Sequence, residues 1–298
     1  MTAARRRAVP LALLACALAL SGCDRLDRRA MLLVEDSSYR PEILLSHTDG
    51  IASPDGLRWE DGRLYIADEG GSAIRVWSQG RGLETLADSA QGLRSPEDLA
   101  RGRDGALYAT DDDAGGVWRI GPTGGATAAV PASGDLASTE AIALAPSGAL
   151  LIGAAASGRI VAVAPGGRAT RLPLRIAKPE SLAFDGAGNL YIADNENDVL
   201  YLVTADGRLR RPVAHRPGFS PETLHFSGGA LFITDSANGK LHRYAPADGL
   251  TTLAVFGGAL ANVQGIASDG NGALYVSVQS DLKGRRGYIL RLKRTMPR

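Results

Sequence analysis

The sequence predicts an all-β protein, a single six-bladed β-propeller built from four-stranded antiparallel blades. Three observations lead to this prediction: a segment that recurs six times, a strand pattern that repeats inside each copy, and a composition rich in turn residues. The 298 residues include 37 glycines and 15 prolines, and no long segment keeps the apolar spacing of a helix. Many short strands joined by tight turns are therefore expected.

The recurring segment begins with a short polar motif that leads into an apolar strand. Each motif has an acidic or amide residue at the same place, which makes the six copies easy to align. The six motifs are Ser53-Pro54-Asp55-Gly56, Ser95-Pro96-Glu97-Asp98, Ser138-Thr139-Glu140-Ala141, Lys178-Pro179-Glu180-Ser181, Ser220-Pro221-Glu222-Thr223 and Asn262-Val263-Gln264-Gly265. Their spacings are 42, 43, 40, 42 and 42 residues. A unit of about 42 residues is the size of one propeller blade.

A second strand inside each copy repeats its own pattern of leucine, aromatic and β-branched residues. These strands are expected at residues 64–68, 107–111, 150–154, 190–194, 231–235 and 274–278. The last copy ends after a third strand at residues 288–292, so we expect residues 41–47 to supply its fourth strand and close the ring. An open β-solenoid is the alternative architecture, but it would need shorter rungs and capping ends.

The N-terminus has the order of residues that is typical of an export signal. Basic residues 5–7 precede an apolar run at 8–20, which is too short to span a membrane comfortably. Leu20-Ser21-Gly22-Cys23 resembles a bacterial lipobox. We therefore predict a lipoprotein signal peptide at 1–22, lipidation of Cys23, a tether at 23–40 and the propeller at 41–298. An ordinary secretory signal with a chance cysteine is the alternative.

The charge balance is close to neutral and gives no sign of a nucleic-acid partner. The formal net charge is +1, and without residues 5–7 the chain has 30 Lys and Arg against 32 Asp and Glu. The expected location is the cell envelope, with a lipid anchor at Cys23 and the propeller on the periplasmic or outer side. The membrane leaflet is left open. The protein is expected to be a monomer.

One position of the repeat indicates a functional site. The innermost strand of each propeller blade runs along the central channel, so the residues at its start should converge on the axis. These residues are Asp55, Glu97, Glu140, Glu180, Glu222 and Gln264. Repulsion between close carboxylates is relieved by protonation or by a cation, and Ca²⁺ prefers six to eight oxygen ligands. The six residues are thus predicted to hold Ca²⁺ or another divalent cation. The alternative is that each acid caps its strand or bonds the backbone of a neighbouring blade.

A second acidic set ends the second strands of four blades and is expected to have a structural role. Its members are Asp68, Asp111, Asp194 and Asp235. Aspartate at such turns usually accepts hydrogen bonds from nearby backbone N–H groups. His225 is expected to be a packed strand residue. The sequence contains no G-x-S-x-G elbow and no phosphate-binding loop.

Two blade segments carry a family resemblance, which covers roughly residues 41 to 298. Lys178-Pro179-Glu180-Ser181-Leu182-Ala183-Phe184-Asp185 and Asn189-Leu190-Tyr191-Ile192-Ala193-Asp194 resemble blades of the senescence marker protein and gluconolactonase family, of strictosidine synthase-like proteins and of NHL repeats. The resemblance implies a divalent metal on the axis, often calcium, held by glutamate, asparagine and an aspartate in a Pro-Asp-Gly context. Asp55 has that context here, but in the first blade, and glutamates occupy the asparagine positions.

Two functions follow from these observations. The first is a metal-dependent hydrolase of a lactone or ester at the channel mouth, with Asp55 or Glu222 as the base. The second is a non-enzymatic envelope propeller, whose loop-rich top face binds a small molecule, a glycan, a peptide or a partner protein.

Overall fold

The computed structural model describes residues 31–280 and 286–295. The chain begins with β1 (Met31–Val34) and β2 (Tyr39–Ser46). Blade one contains β3 (Pro54–Glu60), β4 (Arg63–Asp68), β5 (Ala73–Ser78) and β6 (Gly82–Ala87). Blade two contains β7 (Pro96–Arg101), β8 (Leu107–Asp111), β9 (Val117–Ile120) and β10 (Ala126–Val130). Blade three contains β11 (Thr139–Leu144), β12 (Leu150–Ala154), β13 (Arg159–Val163) and β14 (Ala169–Arg175).

The remaining blades follow the same order. Blade four contains β15 (Pro179–Phe184), β16 (Leu190–Asp194), β17 (Val199–Val203) and β18 (Leu209–His215). Blade five contains β19 (Pro221–Ser227), β20 (Ala230–Asp235), β21 (Lys240–Ala245) and β22 (Gly249–Gly257). Blade six contains β23 (Asn262–Ser268), β24 (Leu274–Ser280) and β25 (Arg286–Arg294). All strand pairs are antiparallel, and the predicted six-bladed propeller of four-stranded blades is confirmed.

The two ends of the chain meet in blade six. Strand β2 pairs with β25 over seven positions, from Tyr39 opposite Arg294 to Ser46 opposite Tyr288. The predicted closure strand is therefore present, and it begins two residues earlier than expected. The pairing gives blade six its fourth strand and leaves no gap in the ring.

Part of the segment predicted to be a tether belongs to the folded body. Residues 31–34 form β1, which pairs with the outermost strand of blade five from Met31 opposite Gly257 to Val34 opposite Ala254. Blade five therefore has five strands. The sequence did not indicate this because a short apolar segment has no periodicity of its own. It pairs here because β22 is an outer edge strand with free backbone groups.

The apolar core consists of six clusters, one at each interface between neighbouring blades. Strand β4 shows how one strand serves two interfaces: Leu64 and Ile66 pack toward blade six, and Ala67 packs toward blade two. Alternate residues of a strand point to opposite faces of its sheet, so a continuously apolar strand is what a stacked blade requires. The innermost strands contact one another around the whole ring.

Helical structure is confined to short turns. Within residues 31–280 and 286–295 the helices are four 3-10 segments of three residues each. None of them could cross a membrane. Residues 1–30 lie outside the described structure, and the predicted signal peptide and Cys23 lie there.

Candidate functional site

All six predicted axial residues occupy the same structural position. In every blade the pairing of the innermost strand with the second strand slips next to this residue, as between Pro179 and Ser181 around Glu180. A β-bulge of this kind leaves a residue outside the ladder and redirects its side chain, which is why bulges are common at functional sites. The bulges thus aim the axial side chains into the channel mouth.

Hydroxyl groups of the second strands hold three of these bulges in place. In blade two, Thr110 Oγ1 accepts the Asp98 N–H (2.9 Å) and donates to the carbonyl of Glu140 in the next blade (2.8 Å). Ser277 does the same in blade six, accepting the Gly265 N–H and donating to the carbonyl of Asp55, both at 2.6 Å. Thr234 plays this part in blade five. Each such hydroxyl connects one bulge to the axial residue of the following blade.

Blades six, one and two approach one another closely at the axis. A Cβ atom added to Gly56 would lie 2.3 Å from the carbonyl oxygen of Glu97, and one added to Gly265 would lie 2.2 Å from that of Asp55. No side chain would fit at either place. The two glycines therefore allow the backbones of Asp55 and Glu97 to come close together.

Three carboxylates form a compact group on this side of the channel, which we call the acidic cluster: Asp55, Glu69 and Glu97. One oxygen of each lies within 4.8 Å of the other two. Gln279 Nε2 donates to Glu69 Oε2 (2.8 Å) and Asp55 Oδ2 (3.3 Å). The Ser95 hydroxyl lies 3.3 Å from both Glu69 Oε1 and Glu97 Oε1. No described basic side chain forms an ion pair with any of the three.

The other half of the mouth has its own cation. Lys178 forms an ion pair with Glu180, and its positive charge partly offsets the rise in the pKa of Glu140 that burial causes. Glu222 Oε2 accepts hydrogen bonds from Ser236 Oγ (2.7 Å) and Asn195 Nδ2 (3.3 Å). We call Lys178, Glu140, Glu180 and Glu222 the lysine-paired group. The mouth is thus divided into one half with a built-in positive charge and one half without.

Gln264, the amide of the predicted ring, does not contact the carboxylates directly. Its Nε2 donates to Asn262 Oδ1 (2.8 Å), and Asn262 Nδ2 lies 3.5 Å from Gln279 Oε1. This chain of amides leads to the acidic cluster through Gln279. Gln264 is therefore placed behind the amide that supports Asp55 and Glu69.

Burial and mutual repulsion change the protonation of these groups. The pKa values of Asp55 and Glu97 are raised well above their usual range, first by burial and then by neighbouring carboxylates: Glu222 and Glu69 for Asp55, and Asp55 and Glu140 for Glu97. Burial, followed by the charge of Glu180, raises the pKa of Glu140 to about 8. Burial, followed by the charge of Glu222, raises the pKa of Glu180 to about 7.

The hydrogen bonds of the axial acids argue against a capping role. Among the described residues, no backbone N–H group donates to the carboxylates of Asp55, Glu97, Glu140, Glu180 or Glu222. Their partners are side chains that also lie at the mouth. Such a cluster keeps its mutual repulsion, which is the condition under which a cation binds.

A second ring of polar residues at the mouth was not predicted from the sequence. In five blades a polar residue at or just after the end of the second strand reaches the mouth. These residues are Glu69, Asp112, Asn195, Ser236 and Gln279. A signal was present, because these residues directly follow Asp68, Asp111, Asp194, Asp235 and Val278. The signal is weak, since the five residues share polarity but no residue type.

The four aspartates of the second strands have the predicted structural role. Each accepts backbone N–H groups from the segment that leads into its own blade, as Asp194 does from Ala177 and Lys178. Asp111 is fully buried and accepts the N–H groups of Arg94 (2.9 Å), Ser95 (3.0 Å) and Ala114 (2.9 Å). These carboxylates anchor the loops from which the axial acids extend.

Replacing Asp111 should therefore destabilise the fold without any metal being involved. An Asp111→Asn change places an amide N–H among three buried donors, so the free energy of unfolding should fall by about 2–4 kcal/mol. Denaturant unfolding measures this loss. Asp113→Asn, at an exposed site two residues away, is the matched control and should leave stability nearly unchanged. Equal stability of the two variants would contradict the anchoring role.

Comparisons with known proteins support the architecture. Residues 81–120 match a family model described as strictosidine synthase-like, N-terminal, and this match includes Glu97 and Asp111. A search of curated protein sequences finds no significant match. The resemblance to strictosidine synthase-like proteins is thus supported over residues 81–120, from the outer strand of blade one to the third strand of blade two.

Solved structures share the fold over most of the chain. A gluconolactonase from Xanthomonas campestris has a TM-score of 0.67 at 18% identity, covering 89% of this chain and 90% of that one. A catalytically inactive virginiamycin B lyase from Staphylococcus aureus with quinupristin has a TM-score of 0.62 at 14% identity, with coverages of 86% and 99%. A nidogen/laminin complex has a TM-score of 0.63 at 18% identity, with coverages of 73% and 85%. Enzymes and a protein complex share this fold, so the fold alone selects no function.

Proposed function

We propose that the protein binds a divalent cation, Ca²⁺ in the first instance, at the acidic cluster, and that the bound ion supports hydrolysis of a lactone or ester at the channel mouth. The observation that supports this most is the convergence of Asp55, Glu69 and Glu97 within 4.8 Å, with no described cation beside them. The repeat predicts one site on the axis that all six axial residues share. The proposed ion is instead displaced toward blades one and two.

The donor set fits such an ion. Ca²⁺–oxygen distances are about 2.3–2.6 Å, so ligand oxygens on opposite sides of one ion lie about 5 Å apart. Three carboxylate oxygens that all lie within 4.8 Å of one another can therefore share it. A bound divalent cation polarises a carbonyl group and lowers the pKa of a water molecule. The hydrogen bonds from Gln279 and Ser95 orient the carboxylates.

Glu222 is the better placed of the two predicted bases. Its carboxylate is oriented by Ser236 and Asn195, and its charge is the largest electrostatic influence of a neighbour on Asp55. It thus lies beside the acidic cluster without belonging to it. A base in this position can accept a proton from water at the mouth. Asp55 is assigned to the ion.

Lys178 and its partners supply the remaining chemistry of the mouth. The ion pair with Glu180 keeps a positive charge next to Glu140 and Glu222. This charge favours the ionised form of the neighbouring carboxylates and can attract the oxygen of a polarised ester. Glu140, Glu180 and Gln264 are therefore assigned to shaping the site, while Glu97 and Asp55 bind the ion.

The location follows from the N-terminal motif and belongs to the same proposal. Lipidation of Cys23 would attach the lipid eight residues before β1, and eight residues span at most about 28 Å. Blade five, which carries β1, would then be the blade nearest to the membrane. The protein would act as a monomer at the cell envelope, on a small-molecule, glycan or peptide ligand at its top face.

A non-enzymatic role is the second candidate function. It is favoured by the resemblance of the fold to a structure described as a nidogen/laminin complex, and by the side-chain partners that occupy several of the axial carboxylates. In this case the ion would stabilise the top face, and the loops would bind a partner without chemistry.

Calcium titration of chelator-treated protein tests the proposed ion. Calorimetry should show saturable binding to the wild type, and Glu97→Gln should weaken that binding by roughly 100-fold because one charged ligand is lost. Glu84→Gln, at an exposed carboxylate on the outer strand of blade one, is the control and should bind as the wild type does. Absence of binding, or equal binding by Glu97→Gln, would overturn the proposal.

A panel of sugar lactones and aryl esters tests the chemistry separately. Glu222→Gln should keep calcium binding and lose turnover by roughly 100-fold or more, since the general base is removed. If the wild type binds calcium but hydrolyses no member of the panel, the hydrolase is excluded for these substrates and the binding role is favoured. Turnover that persists in the chelated protein would contradict dependence on the ion.

A further inference from the structure

The end of the channel opposite the acids contains a cavity. Its volume is about 350 Å³, and it is lined by the innermost strands of all six blades beyond their bulges. We call it the lower pocket. Most of its residues lie two to four positions after the axial acids, and strands rise about 3.3 Å per residue. By the same rise, these lining residues lie about 7 to about 13 Å along the axis from the acidic cluster.

One position of the repeat shows that this pocket is not a mere gap. Three residues after the axial residue, four blades have alanine: Ala100, Ala143, Ala183 and Ala267. Blade one has Arg58 and blade five has His225 at the same position, and both side chains line the pocket. Three of these alanines, Ala100, Ala143 and Ala183, also line the pocket, and their small side chains leave room that the two basic side chains partly fill.

Arg58 is incompletely paired. Its Nε is buried with no hydrogen-bond partner among the described residues, and its nearest carboxylate contact is long, 3.9 Å from Nη2 to Glu60 Oε1. Glu60 already forms an ion pair with Arg101. A guanidinium group has five donors, and leaving them unsatisfied in a partly buried place is costly. Arg58 thus presents unused hydrogen-bonding capacity next to the cavity.

His225 adds a second unused group. No described residue makes a hydrogen bond with its ring. Burial, with a smaller effect of the positive charge of Arg58, lowers the pKa of His225 to about 4, so the ring is neutral at pH 7 and offers one donor and one acceptor. His225, predicted to be a packed strand residue, lies within β19, and its ring also borders the lower pocket.

The acidic side chains near the pocket limit the charge of any ligand. Asp98 lines it, and its carboxylate accepts the backbone N–H groups of Leu99 (2.7 Å) and Ile142 (3.3 Å). Glu60 is held by Arg101. These two carboxylates repel negative charge on a ligand. The unpaired donors of Arg58 therefore suit a ligand with one negative charge, not two. The next position along the strands supplies apolar walls from Trp59, Leu144, Phe184 and Phe226.

We propose that the lower pocket binds a small monocarboxylate with an apolar body, its carboxylate on Arg58 and its apolar part against the alanine walls and the aromatic rim. Pockets for small ligands have volumes from about 300 Å³ and contain a few polar groups that fix the orientation of the ligand. Arginine matches a carboxylate through paired hydrogen bonds. The His225 ring provides a further donor beside it. This site is separate from the proposed ion site and is reached from the other face of the propeller.

Ligand binding with matched probes tests the inference. Hexanoate should bind the wild type with a dissociation constant on the order of 1 mM, as a small ligand does, and should shift the side-chain NMR signals of His225. Those signals are assigned by their loss in His225→Gln. Hexanol, which has the same chain without the charge, should bind at least roughly tenfold more weakly, and hexylamine should not bind.

Two variants locate the site, and one controls for charge. Arg58→Met keeps the apolar stem and should weaken hexanoate binding by roughly tenfold or more. Ala183→Leu fills part of the cavity from another blade and should abolish binding. It therefore tests the site independently if Arg58→Met does not fold. Arg119→Met, at an exposed arginine on blade two, should bind as the wild type does. Chelation of calcium should leave hexanoate binding unchanged.

The opposite results would overturn the inference. Equal affinity for hexanoate and hexanol would show that Arg58 recognises no charge. Unchanged binding in both Arg58→Met and Ala183→Leu, or the absence of any saturable shift of His225, would show that the lower pocket is not the binding site.

Discussion

Without divalent cations the protein should lose thermal stability as the pH rises from about 6.5 to about 8, with a melting temperature lower by roughly 5–10 °C at the higher pH. The cause is the raised pKa of the axial carboxyl groups. The pKa is about 8 for Glu140 and about 7 for Glu180, and it is well above the usual range for Asp55 and Glu97.

The direction follows from the number of bound protons. In the unfolded chain these groups ionise near pH 4–4.5, so above that pH the folded state holds more protons than the unfolded state. Stability then falls with rising pH until the folded-state pKa values are passed. His225 has the opposite sign, because its folded pKa of about 4 lies below its unfolded value. Most of its effect is reached by about pH 6.5, the unfolded pKa of histidine, which is why the window starts there.

Calcium should reduce this loss of stability, because an ion at the acidic cluster favours the ionised forms of Asp55 and Glu97. Melting curves at about pH 6.5 and about pH 8, with chelator and with calcium, measure both effects. Glu140→Gln should reduce the pH dependence of the chelated protein, and Glu84→Gln should leave it unchanged. A melting temperature of the chelated wild type that rises over this window would contradict the assignment of buried, repelling acids.

A chain that begins at His47 should fail to form a stable propeller. Removing β2 deletes the pairing with β25 at seven positions and takes Leu45, a buried residue, from the cluster between blades six and one. The exposed edge of β25 and the lost core contacts together should cost more than about 5 kcal/mol, which is comparable to the whole stability of many domains. Thermal unfolding and size-exclusion chromatography should show an unfolded or aggregated protein.

A chain that begins at Tyr39 is the matched control. It lacks only β1, the added strand of blade five, and keeps the closure of blade six. Its melting temperature should fall by only a few degrees. If the two truncated chains were equally stable, pairing of the chain ends would not be what closes the ring.

Much of the architecture could be predicted from residues alone because a propeller repeats. Each blade must bury both faces of its sheet against its neighbours, so the same strand pattern has to return about every 42 residues. The leucine near the start of each second strand, from Leu64 in blade one to Leu274 in blade six, is an example. The short sixth copy likewise predicted that a strand before blade one would close the ring. The position of the axial residues followed from the same periodicity.

The order of residues was therefore enough to predict the blade count, the closure and the six axial positions, since these depend on local patterns that repeat. Which side chains meet was decided by the folded ring. It placed Glu69 with Asp55 and Glu97, paired Glu180 with Lys178, and put Arg58 and His225 beside a cavity at the opposite end. These contacts join residues of different blades through bulges and close backbone approaches, and such geometry depends on the assembled ring instead of on the spacing within any one copy.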